Sequence, residues 1–121
     1  MELIEFGYPK FLGYVYDPVT ETEVPTWDET DIDPLVSYRL PVKPVSTRDW
    51  ESYATLSVVS AYFPPDAHFA FPPNPIDPTK KISIRMRGRI GWTIEGDPEI
   101  WKLGNSPHIK VNLKILGPNN G

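Results

Sequence analysis

Few side chains in this sequence can do chemistry by themselves, and their spacing limits what that chemistry is. His68 and His108 are the two histidines. They fall in different loops, without the His-x-His or His-Glu-x-x-His spacing that turns two imidazoles toward one metal ion. There is no cysteine, so disulfides and thiolate metal sites are excluded. Gly-x-Ser-x-Gly, the P-loop and Gly-x-Gly-x-x-Gly do not occur either. Glu95, Asp97 and Glu99 gather around Pro98. A calcium site or a glycosidase pair would need partner groups that the sequence does not supply. Turn chemistry accounts for these acids more simply. The expectation is a protein that is not an enzyme, with no catalytic residue, no metal and no cofactor.

Arg85, Arg87 and Arg89 differ in kind. Period-two spacing puts their three guanidiniums on one strand face. Such a basic ladder can meet phosphates or carboxylates. It can equally be a solvated face whose charge guards against aggregation. Specific base reading is not expected, because no recognition helix or stacking motif accompanies the ladder. Trp27, Trp50, Trp92 and Trp101 could line a sugar-binding face. Trp92 sits in an apolar register and belongs in the core, and Trp101 is expected to pack over the turn at Pro98. Trp27 and Trp50 remain for binding.

The elements that must position these groups read as strands. Fifteen prolines are threaded through 121 residues, between runs that alternate apolar and polar. Proline is pushed to edges, turns and loops, and alternation marks strands with one buried face. The fold class expected is all-β: a small compact barrel or sandwich with long proline-rich loops, one domain over residues 1–121. Alternation around Phe11, Gly13, Tyr14 and Tyr16 gives a first strand. Residues 17–34 are acidic and punctuated by Pro25 and Pro34, and read as an exposed loop or arm. Val36, Tyr38, Leu40 and Val42 make an edge strand, and Ser46–Glu51 a polar loop. Residues 53–63 read as a buried strand. The segment 64–79 holds six prolines and reads as a semi-rigid contact loop carrying Phe69 and Phe71. Residues 82–94 form one strand with a bend or bulge at Gly88 and Gly91, Glu95–Pro98 a turn, and residues 109–115 the last strand.

The net charge of -4 hides a gradient: nine acids and two bases in residues 1–40, against three acids and eight bases in residues 80–121. Opposite ends of this kind suit association between copies or unlike neighbours, or are two solvated faces that differ. The opening Met1-Glu2-Leu3-Ile4-Glu5 lacks the features of a signal peptide. No apolar run approaches the ~20 residues of a membrane span. Synthesis in a reducing cytoplasm, without membrane contact, is therefore expected.

From Leu40 onward the order of elements resembles the head-to-tail stopper, or head-closure, proteins of long-tailed bacteriophages. The resemblance is carried by Leu40-Pro41-Val42-Lys43-Pro44-Val45-Ser46, by Ala61-Tyr62-Phe63-Pro64-Pro65-Asp66, and by the run from Gly88 to Trp101, with its glycines, aromatics and Gly96-Asp97-Pro98. The strand His108–Ile115 closes it, and Leu12 to Trp27 is similar to the family's opening hairpin. The segments 17–34 and 71–78 are longer than the family pattern. The resemblance implies a non-catalytic virion protein of the head-tail connector. Its β-barrel would assemble into a homo-oligomeric ring, usually a dodecamer. The ring would sit beneath portal and adaptor, close the DNA-filled head, offer the tail terminator its platform, and let double-stranded DNA pass without sequence specificity. Arg85, Arg87, Arg89, Phe69, Phe71 and Trp27 are the interface candidates, with the acidic segment 17–34 facing basic strands of a neighbour. A non-catalytic module binding carbohydrate or nucleic acid is the alternative.

Overall fold

A computed structural model describes residues 1–44, 54–102, 104 and 106–118, and among these there are seven strands and no helix. A long hairpin pairs β1 (Glu2–Asp17) with β2 (Thr22–Leu40). Then come β3 (Val42–Pro44), β4 (Ala54–Phe63), β5 (Ser83–Met86), β6 (Arg89–Trp101) and β7 (His108–Pro118). All pairings are antiparallel, in the order β2-β1-β5-β6-β7-β4-β3, and the sheet curls into a half-barrel. Its two outer strands, β2 and β3, are separated in the chain by Pro41 alone. The Tyr62 amide of β4 donates to the Pro41 carbonyl at 3.4 Å and fastens that corner.

Period-two alternation builds the core. Ile4 and Phe6 of β1, Val59, Ala61 and Phe63 of β4, and Val111 and Leu113 of β7 are all buried on the concave side. Ile84 and Met86 of β5 and Trp92 of β6 close it. The Trp92 indole donates Nε1–H to the Met86 carbonyl at 2.9 Å, so its polar edge is satisfied where it is buried. Gly7 is required where β1 crosses β2, because a Cβ there would overlap the Asp33 carbonyl.

Three expectations are corrected. Segment 17–34 is no loop. Apart from the turn at residues 18–21 it lies within β1 and β2, and its β2 part pairs with β1 except at Glu29, Thr30 and Asp31. Its prolines are tolerated because β2 is an edge strand whose outer amides need no ladder partner. Residues 82–94 are not one strand either. Arg87 and Gly88, with φ of 56° and 71°, form a two-residue hairpin turn between β5 and β6. Both positive φ values match the turn whose twist suits a hairpin. Gly91 is the bulge expected of it, since Ile84 pairs with Trp92 while Arg85 pairs with Ile90. Finally, Glu95–Pro98 does not turn the chain back. It is an outward bulge within β6, between the pairs Glu95–Asn112 and Glu99–Lys110.

Segment 64–82 has no regular structure, but it does not protrude as a contact loop. Phe69 and Phe71 are half-buried against the core, with ring centroids 6.0 and 5.5 Å from Phe6. Phe69 also meets Phe63 edge-on at 5.1 Å. The Tyr8 hydroxyl donates to the Pro72 carbonyl at 2.6 Å. The buried Asn74 side chain accepts the amides of Ile76 and Asp77 at 2.8 and 3.2 Å. The loop thus covers the open side of the half-barrel, and its prolines reduce the number of amides that need partners there.

Candidate interaction surfaces

The arginine ladder is dissolved by the turn at Arg87–Gly88, and its members part company. Arg85 donates Nε–H to Glu5 at 2.8 Å and Nη1–H to Asp31 at 3.0 Å. Arg87 grips the Glu2 carboxylate with two bonds of 2.7 and 2.8 Å. Arg89 is exposed, as Arg87 is, and it is the one of the three with no acidic partner among the described residues. Much of the charge gradient is therefore consumed within the chain, since N-terminal acids bind C-terminal bases. That corrects the expectation of the whole basic ladder facing the acidic segment of a neighbour.

The same ion pairs position an arm. β1 pairs with β5 only over Ile4–Gly7, whereas its pairing with β2 runs on to Asp17–Thr22. Beyond Pro9 the hairpin is a two-stranded ribbon. At ~3.3 Å per residue, β1 runs on for about 30 Å past Gly7. The boundary is a bulge: Pro9 pairs with Ile32 and Lys10 with Asp28, leaving Glu29, Thr30 and Asp31 as extra residues of β2. Asp31 accepts Lys10 Nζ at 3.1 Å as well as Arg85. Glu29 accepts Lys80 Nζ, which also stands 5.1 Å over the Trp27 ring. Lys10 beside it holds the Asp31 carboxyl below its ordinary pKa, and the Thr30 hydroxyl and amide do the same for Asp28. The Glu5 bond raises the Arg85 guanidinium further. Such partly exposed charges fix geometry more than they add stability.

The arm itself is apolar on both faces. Phe11 pairs with Trp27, Tyr14 with Pro25, and Tyr16 with Glu23, so these share one face. Phe11 touches Trp27 and Tyr14 edge-on, at 5.5 and 5.2 Å. Val15 and Val24 form a pair on the opposite face. Toward the tip Leu12, Tyr14, Val15, Tyr16 and Val19 are 63, 55, 51, 63 and 89% exposed. The turn is built on Asp17, which accepts the Val19 amide at 2.9 Å and the Thr20 hydroxyl at 3.2 Å. Of the predicted candidates, Trp27 lies on this arm, half-buried at its base.

A second patch lies at the far end of β6 and β7. Trp101 does not pack over the bulge at Pro98. It is half exposed and stacks on His108, with centroids 6.0 Å apart and planes 10° apart. His108 meets Tyr62 edge-on at 5.6 Å and donates Nδ1–H to the Ser106 carbonyl at 2.9 Å. Ile100 beside it is 63% exposed. Lys110 and Lys114 pair with Glu99 and Glu95 at 3.7 and 3.9 Å, which accounts for two of the three acids near Pro98. Among the described residues no group of three or more histidines and carboxylates could hold a metal ion. His68 is exposed in segment 64–82, far in sequence from His108, and its ring lies 6.5 Å from Phe71. Trp50 lies outside the described residues.

Sequence reasoning missed Leu12, Val15, Val19 and Ile100 as surface groups. The available signal was the run Phe11, Leu12, Tyr14, Val15, Tyr16, which is apolar at both parities and cannot bury both faces in a two-stranded ribbon. Comparison with protein-family models, curated proteins and solved structures gives no match.

Proposed function

We propose that this chain is a structural protein of the neck of a long-tailed bacteriophage. In this reading it is a stopper that forms a homo-oligomeric ring beneath portal and adaptor, closes the DNA-filled head and receives the tail terminator. The observation that carries the reading is the arm: a two-stranded ribbon, braced at its base by ion pairs, that exposes apolar side chains on both faces. A two-stranded ribbon is marginal alone in water, and a monomer rarely keeps such a surface uncovered. The order of sequence motifs from Leu40 to Ile115 supplies the family. Double-stranded DNA passes the ring as a tenant, and the protein reads no bases. The chain is made in the host cytoplasm and resides in the virion. No helix among the described residues is long and apolar enough to cross a membrane.

Particles assembled without the chain test this. The expected result is DNA-filled heads that leak and fail to join tails; normally tailed, infectious particles would refute it. One observation favours the non-catalytic binding module as a second reading. Half-exposed Trp101, with the partly buried His108 and Tyr62 behind it, forms an aromatic patch of the kind on which a sugar ring can stack. Measurable glycan affinity of the full chain, lost in Trp101→Ala, would move that reading to the front.

A further inference from the structure

We infer that the β1–β2 arm of one copy docks on the Ile100–Trp101 patch of the next copy. The inference rests on the ring-forming reading above and names the contact that would make the ring. It starts from topology. β1 and β6 both run antiparallel to β5, on either side of it, and so run in the same direction. Both outrun β5, which ends its pairing with β1 at Gly7–Ser83. The arm and the Trp101 patch therefore leave the same end of the sheet on opposite flanks, with β5 between them. Setting copies side by side brings the arm flank of one against the patch flank of the next. The two surfaces are unlike, so the contact is heterologous and repeats until rotation closes it into a ring.

The chemistry of the two surfaces is complementary. The arm offers Leu12, Tyr14 and Tyr16; the patch offers Ile100 and half-exposed Trp101. A fully buried aromatic side chain removes ~150–250 Å² from water. With Tyr14 and Tyr16 on one partner and Trp101 on the other, all about half exposed, these groups form the apolar centre of an interface of ~800 Å² per partner rather than the whole of it. Glu21 and Glu23 near the arm tip have no basic partner among the described residues, and Lys102 beside Trp101 has no acidic one. They are among the charges with no intramolecular partner, and they carry opposite signs on the two surfaces.

The absence of cysteine makes the test clean. Full-length Tyr16→Cys and Lys102→Cys chains are purified, concentrated, and oxidised alone and mixed. A disulfide-linked pair is expected only in the mixture, and the double variant should give a ladder of linked copies. Adding Trp101→Ala to the Lys102→Cys chain should lower the mixed yield by about tenfold or more, while its denaturation midpoint shows that it remains folded. Linkage of Tyr16→Cys chains to themselves would show arm-to-arm pairing and overturn the inference. So would the absence of any linkage. Tail-less heads in particles lacking the chain, together with no 16–102 linkage, would sink this contact but leave the stopper reading standing. Linked copies together with normal particles would do the reverse.

Discussion

Arg85 on β5 reaches Asp31 on β2 at 3.0 Å and thereby ties the body of the sheet to the base of the arm. The two residues are far apart in sequence, and β1 lies between their strands. The contact exists because the bulge at Glu29–Asp31 lifts Asp31 out of the β2 ladder.

Asp31→Asn should weaken both this contact and the one to Lys10 without unfolding the body, since the pairs are partly exposed. Amide exchange should become faster over residues 10–28 and stay unchanged in β4 and β7. Equal acceleration in both regions would show that the ion pairs hold the whole sheet rather than the arm.

The pH dependence follows from the carboxylates. Asp31, Asp28 and Asp77 are held below their ordinary pKa by Lys10, Thr30 and Thr79 respectively, and Glu2 by Arg87. The folded chain thus binds these protons less readily than the unfolded one. The stability they contribute is fully present above the ordinary carboxylate range near pH ~4, and is lost as pH falls through the lowered values. Thermal midpoints measured from about pH 6 to about pH 3 should drop in the lower half of that window. A midpoint that rises on acidification would contradict these pairings.

Phe69 and Phe71 separate a covering role from a contact role. Each is half-buried on Phe6 or Phe63. Replacement by alanine should cost about 1.5–2.5 kcal/mol in urea unfolding, roughly half the cost for a fully buried phenylalanine. Phe6→Ala, fully buried, should cost about 3–5 kcal/mol. Unchanged stability in Phe71→Ala would return segment 64–82 to the exterior.

The strands that bury one face were legible in the sequence. Ile109, Val111, Leu113 and Ile115 alternate cleanly because the other face of β7 is partly exposed, whereas β4, with Val58 and Ser60 buried beside Val59 and Ala61, was legible as a run rich in β-branched and aromatic residues. β2 was hidden because an edge strand can carry acids and prolines that would break a central one. The turn at Arg87–Gly88 was hidden for another reason. The Gly91 bulge restores the parity that a two-residue turn inverts, so apolar alternation runs on from Ile84 through Met86 to Trp92, and arginine is not the asparagine or aspartate that usually announces such a turn. The candidate surface was legible only in part. Trp27 lies on the arm, but the arm is defined by where β1 loses β5, and pairing of that range cannot be read from period or composition. Nor could the sequence show that Arg85 and Arg87 are spent on Glu5, Asp31 and Glu2.

Tyr14→Ser with Tyr16→Ser should leave unfolding within about 0.5 kcal/mol of the parent, as expected for surface substitutions. Assembly into particles should be lost. A large loss of stability would mean that the arm is part of the core.

The most direct measurement is a cryo-electron-microscopy reconstruction of the neck of the particle that carries this chain. The account predicts a closed ring of half-barrels between portal-adaptor and tail, around an open channel, each arm lying on its neighbour. Absence of the chain from the neck would contradict it.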